Sequence, residues 1–269
     1  MNTRTRRNLF GLVGLAGWAA GAVVASALIP ASVPLPGAGT GRAGALTALG
    51  ARGTPGAPRP AGLDGKAGAP DPGTGAGTAL RLLREGNERY ATGRQRHPHE
   101  DGPRRRALAG GPQRPFAVVL GCVDSRVPPE HVFDVGLGDL VCVRTAGHAV
   151  DEAVLGSVEF GITELGAPLV VVLGHERCGA VSAAVARVRD GTRVGGHTGR
   201  VVEALAPAAR AARGTDGEGD GDGEGWVDRA VRENVDRTCA RLRADRGFAG
   251  ARVVGARFDL DTGRVTFTG

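Results

Sequence analysis

Leu169-Val170-Val171-Val172-Leu173-Gly174-His175-Glu176-Arg177-Cys178 is the stretch that decides the fold. An uninterrupted aliphatic run, rich in Val and ended by Gly, lacks the polar/apolar alternation of a half-exposed strand. It reads as a strand of a parallel sheet buried on both faces. Phe116-Ala117-Val118-Val119-Leu120-Gly121 has the same character and runs straight into Cys122. Ligands of open α/β sheets gather just beyond the carboxyl ends of such strands. If the two strands are neighbours, Cys122, His175 and Cys178 converge on one point. Two thiolates and an imidazole suit zinc and leave the fourth tetrahedral position open, the pattern of a catalytic rather than a structural site.

The flanking residues extend this reading. Cys122-Val123-Asp124-Ser125-Arg126 sets a carboxylate two residues after a ligand and a guanidinium two residues further on. An Arg–carboxylate pair is often bidentate and keeps the Asp ionised and oriented. Such an Asp can accept the proton of a metal-bound hydroxide, or can itself take the fourth position. An isolated Asp-Ser-Arg is most often a surface turn; its place directly after a strand-end cysteine favours a working dyad.

The remaining pattern predicts an amphipathic helix over 78–90, strands over 116–121 and 140–144, and a helix capped by Asp151 and running to 165. It continues with a strand over 168–173, helices over 179–188, 197–212 and 226–246, and strands over 251–258 and 264–268. Alternating strands and helices predict an α/β fold, a parallel-centred mixed sheet flanked by helices.

At its motifs the chain resembles the β-class carbonic anhydrases. The resemblance is carried, in order, by LREGNERY (83–90), Gln113-Arg114-Pro115-Phe116, CVDSRVPPE (122–130), FDVGLGDL (133–140), Arg144-Thr145-Ala146-Gly147, Ser157-Val158-Glu159-Phe160 and GHERCGAV (174–181). Asn234-Val235 and the segment 253–267 follow, so that it covers about residues 78–269. It implies zinc-dependent reversible hydration of carbon dioxide by attack of zinc-bound hydroxide, with one zinc per chain on Cys122, His175 and Cys178. Asp124 and Arg126 are the implied catalytic pair. Gln113, Val141, Ala146, Phe160 and Gly179 fall on substrate-pocket positions. Val141 stands where relatives often carry Phe and Phe160 where Tyr is common, which widens the pocket and removes a hydroxyl. His148 stands where Asn is usual and is a candidate for proton transfer.

The resemblance further implies a homodimer or a higher even oligomer, with Gln113, Phe160 and the 78–90 helix acting across the interface. Two other functions use the same ligands: hydrolysis of a carbon dioxide analogue such as carbonyl sulfide or carbon disulfide, and a non-catalytic zinc-binding module. The second has no need of an Asp124–Arg126 pair.

Composition narrows the partners. The formal charge of +6 is spread along the chain and partly sits at the extreme N-terminus, and only 4% of residues are aromatic. No basic stripe interleaved with aromatics is present, which argues against a nucleic-acid partner. Residues 1–29 read as an export signal, with Arg4, Arg6 and Arg7 before the uncharged stretch 9–29 and Ala25-Ser26-Ala27 as a cleavage site. Thr5-Arg6-Arg7-Asn8-Leu9-Phe10 resembles the twin-arginine consensus, with its Phe and Leu exchanged and Gly11 where Lys is usual. The alternative is an uncleaved membrane anchor, because the stretch is just long enough to span a bilayer. Residues 30–77, dominated by Gly, Pro and Ala, read as a disordered linker, leaving 78–269 as the catalytic domain.

Of the remaining cysteines, Cys142 lies in an apolar run and Cys239 in an amphipathic helix; both read as buried free thiols. Residues 214–225 alternate Gly with acids, but an EF-hand count from Asp220 puts Val231 where the last ligand belongs. That segment reads as a solvated loop. His97, His99, His131 and His197 read as surface residues.

Overall fold

The computed structural model describes residues 74–214 and 224–269. The signal or anchor (1–29), most of the linker (30–77) and the acid-rich segment 215–223 lie outside the described residues. Among the described residues, β1 (Ala117–Cys122), β2 (Leu140–Thr145), β3 (Leu169–His175), β4 (Arg252–Phe258) and β5 (Val265–Thr268) form one sheet in the order β2-β1-β3-β4-β5. The first four strands pair in parallel and β5 closes antiparallel to β4. This is the mixed, parallel-centred sheet that the sequence predicts.

The Val-rich runs become central strands because both of their faces have something to bury against. Every residue of β1 and of β3 is buried. Ala117, Val119, Leu169, Val171 and Leu173 point to one face, where Leu80 and Leu83 of α1 (Ala76–Ala91) and Val132 of α3 (Pro129–Val132) cover them. Val118, Leu120, Val170 and Val172 point to the other, under Val158 and Ile162 of α4 (Glu152–Thr163) and Val235 and Leu242 of α7 (Glu224–Ala244). Each such side chain contributes about 1.5–3 kcal/mol when fully removed from water. A third cluster joins α5 (Gly179–Asp190), α6 (Gly196–Ala211) and α7 and takes in Cys122 and Cys178. Asp151 caps α4 as predicted, accepting a hydrogen bond from the Val154 amide at 2.9 Å.

Chain order places the site. From β1 the chain goes outward to β2, then crosses back over β1 to reach β3 on its other side. Such a reversal leaves a crevice at the carboxyl ends of the two strands flanking it. Cys122 ends β1 and His175 ends β3.

One element differs from the sequence reading. Helix α2 (Gly102–Ala109) was not foreseen, because it has no apolar stripe and buries none of its residues. It is held locally instead, by Pro in its first turn and by Asp101 accepting from the Arg104 amide at 2.7 Å. Helix α1 buries Leu80 and Leu83 in the core of its own chain. Asn87 ties it there, donating to the carbonyls of Val132 (3.1 Å) and Gly263 (2.9 Å) and accepting from the Val265 amide (2.8 Å).

Close packing of α1 carries a prediction. A methyl group on Gly86 would lie 1.7 Å from the carbonyl oxygen of Phe133. On an open helix surface Gly→Ala stabilises by about 1 kcal/mol. Here Gly86→Ala is expected to destabilise by about 1–3 kcal/mol, the usual range for overpacking. Urea unfolding checks this, and a raised midpoint would show that α1 does not approach the Phe133 turn.

Candidate metal centre and active site

The sulfurs of Cys122 and Cys178 lie 4.0 Å apart. With the His175 imidazole they form a buried trio whose ligand atoms all fall within 4.8 Å of one another. Tetrahedral zinc with Zn–S bonds of about 2.3 Å needs sulfurs about 3.8 Å apart, so the spacing fits. The tautomer of His175 fits as well. Its Nδ1 is 2.8 Å from the Glu176 carbonyl oxygen, to which it donates, leaving the Nε2 lone pair for a ligand. That Nε2 is the one buried side-chain nitrogen or oxygen without a hydrogen-bond partner among the described residues. An orphan of this kind costs about 1–3 kcal/mol. A soft divalent cation held jointly with the two sulfurs removes the cost, so the donor set fits zinc.

Local structure prepares the thiolates. Cys178 is the N-cap of α5, and the amides of Val181 and Ala180 in its first turn draw its thiol downward. Cys122 is lowered first by its contact with the Cys178 sulfur and further by the backbone amides of Asp124 and Gly147, against the opposing effect of burial. Cys178 is raised by its contact with Cys122 and by burial. Ligation of both sulfurs by one cation requires both thiols to be deprotonated.

Asp124 and Arg126 form the pair read from the sequence. Arg126 donates through Nε to Oδ1 (2.9 Å) and through Nη2 to Oδ2 (2.7 Å), and its backbone amide also reaches Oδ1 (2.9 Å). These bonds hold the Asp124 carboxyl well below the usual carboxylate range. Asp124 Oδ2 also lies 3.9 Å from His175 Nε2, so the carboxylate faces the point on which the three ligand atoms converge. Arg144 of β2 steadies the same turn from behind, donating to the carbonyls of Cys122 (2.8 Å) and Asp124 (2.7 Å).

The residues taken for a substrate pocket are more dispersed. Val141 and Ala146 are half-buried, on β2 and in the turn after it. Gly179 opens α5 and is exposed. Gln113 is exposed before β1, and Phe160 of α4 is 54% exposed. A cavity of about 620 Å³ lies elsewhere, lined by residues that include Arg177, Arg189, Asp228 and Arg257.

The histidines divide. His97, His131 and His197 are exposed, as read. His99 is a correction: its side chain is largely covered, with Nδ1 2.8 Å from an Asp139 carboxylate oxygen. His148 is buried, and burial pulls its imidazole down to about 4, so it stays neutral. Its Nε2 is occupied by Asn234 at 2.7 Å. Burial and this contact make His148 part of the wall around the ligands. All four cysteines are free thiols. Cys239 is buried as expected, whereas Cys142 is only half-buried because β2 is the edge strand.

A parallel-centred α/β sheet with a buried Cys2His trio and an ionised carboxylate at its switch point has the make-up of a metal-dependent enzyme centre. Comparison with known proteins says which kind. The carbonic anhydrase family model matches residues 117–265. Carbonic anhydrase 2 of Mycobacterium tuberculosis is 45% identical over 200 residues, covering 72% of this chain and 93% of that protein. A carbonic anhydrase of Mycolicibacterium smegmatis is 41% identical over 194 residues, covering 70% and 90%. The fold matches a tetrameric β-carbonic anhydrase of Sordaria macrospora with a TM-score of 0.54 at 24% identity, over 62% of this chain and 87% of that one. It matches a Coccomyxa β-carbonic anhydrase with a TM-score of 0.52 at 21% identity, over 70% and 83%. The chain belongs to the β-class carbonic anhydrases.

Proposed function

We propose that the chain hydrates carbon dioxide reversibly to bicarbonate and a proton, using one zinc per chain held by Cys122, His175 and Cys178. The observation that carries the reading is the buried, unpartnered Nε2 of His175 facing two thiols at the switch point of the sheet. Zinc bound there supplies Lewis acidity that brings the pKa of water from about 16 towards 7.

The chain's own residues supply orientation. Asp124, kept ionised by Arg126, can only accept hydrogen bonds; it takes one from the nucleophilic water and thereby aims the oxygen lone pair. Arg144 keeps that carboxylate in register with Cys122 by holding both carbonyls of the turn. Gly179, at the start of α5, offers an amide at a helix N-terminus, where developing negative charge on a substrate oxygen is favoured. Val141, Ala146, Phe160 and Gln113 wall the pocket when a second subunit is present. An apolar edge strand that is only half-buried supports that assembly, as do exposed Val123, Leu137 and Phe160. We therefore assign a homodimer or a higher even oligomer, checked by light scattering of the purified protein.

Stopped-flow assays on one sample test the activity. Rapid hydration of carbon dioxide that is lost with a chelator and regained with zinc is expected. Release of sulfide from carbonyl sulfide without hydration would assign the same centre to the analogue, and neither activity would leave a binding module.

Residues 1–29 supply the proposed address, export by the twin-arginine route. That route carries folded proteins, so the thiolates can be metallated where they stay reduced. Replacing Arg6 and Arg7 by Lys is expected to strand active enzyme in the cytoplasm, as fractionation would show. Undiminished export of that variant would refute the route. Full-length protein held in membranes would instead make the segment an anchor.

A further inference from the structure

Helix α7 reaches the metal centre through a contact that neither the ligands nor the Asp124–Arg126 pair uses. Asn234, on α7, is buried. Its side-chain nitrogen donates to the Gly147 carbonyl at 3.1 Å and lies 2.7 Å from Nε2 of His148. An amide nitrogen carries two hydrogens, and neutral His148 can accept one of them. Both are therefore used. The Gly147 amide in turn donates to the Cys122 sulfur at 3.2 Å.

The residue between these two contacts, Gly147, has little freedom. Gly147 adopts φ 61°, in the left-handed region. A methyl group there would meet Leu205 at 2.6 Å and Ala180 at 3.2 Å, so α5 and α6 pack closely against it. The approach of α7 is equally tight. Gly174, directly before His175, leaves just enough room for Val231 and Val235, each of which a methyl on Gly174 would meet at 2.8 Å. Asn234 is thus carried to the centre by packing on β3.

We propose that Asn234 is a positioning residue for the metal centre: by holding the Gly147 carbonyl it keeps the Gly147 amide on the Cys122 sulfur, and so limits the charge that Cys122 donates to the metal. The inference rests on the zinc reading above. A hydrogen bond to a thiolate withdraws electron density from sulfur. Losing it makes Cys122 a stronger donor and the bound cation a weaker Lewis acid. Outer contacts of this kind change metal affinity or activity by about 10–100-fold when removed.

The test uses cobalt(II) in place of zinc, because sulfur-to-cobalt charge-transfer absorption reports the donor strength of the thiolates directly. Asn234→Leu keeps the volume and removes both donors. Its charge-transfer band is expected to move to longer wavelength, with kcat of the zinc enzyme about tenfold or more lower and KM little changed. His148→Asn, tolerated at the positive φ of 46°, leaves Asn234 on Gly147 and is expected to keep the wild-type band. A band unmoved in Asn234→Leu overturns the inference. So does an equal shift in both variants, which would mark general loosening. Should Asn234→Leu fail to fold, the unaltered protein loaded with spin-active cadmium decides: scalar coupling between the metal and the Gly147 amide proton is expected, and its absence overturns the inference. A wild-type protein without any sulfur-to-cobalt band would overturn the zinc reading itself, and this inference with it.

Discussion

Cys178→Ser is expected to reduce bound zinc from about one per chain to under about a tenth, and to bring carbon dioxide hydration to background. Three features of the structure make the effect this large. Serine does not ionise at neutral pH, so the centre loses one of its two anionic donors. The amides of Val181 and Ala180, aimed at the thiolate from the first turn of α5, lose the charge they stabilise. His175 Nε2 is left buried without a partner. The fold is expected to survive with reduced stability, because the Leu and Val clusters on the two faces of the sheet do not include Cys178. Elemental analysis of the folded variant is the check, and full zinc occupancy would remove Cys178 from the ligand set.

The second large effect belongs to Asp124→Ala. Its carboxylate touches none of the core clusters and lies 3.9 Å from His175 Nε2. Removing it should leave zinc content and melting temperature near wild type and lower hydration by about 10²-fold or more, the range for a positioned proton acceptor. Arg126→Ala should lose less. The Arg126 backbone amide still holds Oδ1 after truncation, while the two side-chain bonds are gone. Wild-type rates in both variants would reduce the pair to a structural turn.

The parts of this account that could be read from the sequence are those in which one segment carries its own signal. β1 and β3 were legible because strands covered on both faces must be apolar at every position, and the ligands were legible because they follow those strands directly. Asp124 and Arg126 were legible because they pair two residues apart. Helix α2 was not, since a helix that buries nothing leaves no periodicity; only the Asp101-Gly102-Pro103 start marked it. The pocket residues could be named only by resemblance. Gln113 and Phe160 sit on the surface of one chain, and no local pattern says what covers a surface residue.

Asn234 is the clearest case of illegibility. A single Asn inside an amphipathic helix reads as a polar position like any other. Its partners, Gly147 and His148, lie 87 and 86 residues away and are brought to it by the packing of α7 across β3. The surroundings of His148 were illegible for the same reason. Its place after Arg144-Thr145-Ala146-Gly147 located it near the centre, whereas its burial and its bond to Asn234 follow from tertiary structure alone.

X-ray absorption at the zinc edge, on enzyme purified with its metal, reads the ligand set itself. One zinc per chain is expected, with two sulfur neighbours at about 2.3 Å and nitrogen or oxygen neighbours at about 2.0 Å. A first shell without sulfur, or one made of four sulfurs, would contradict it.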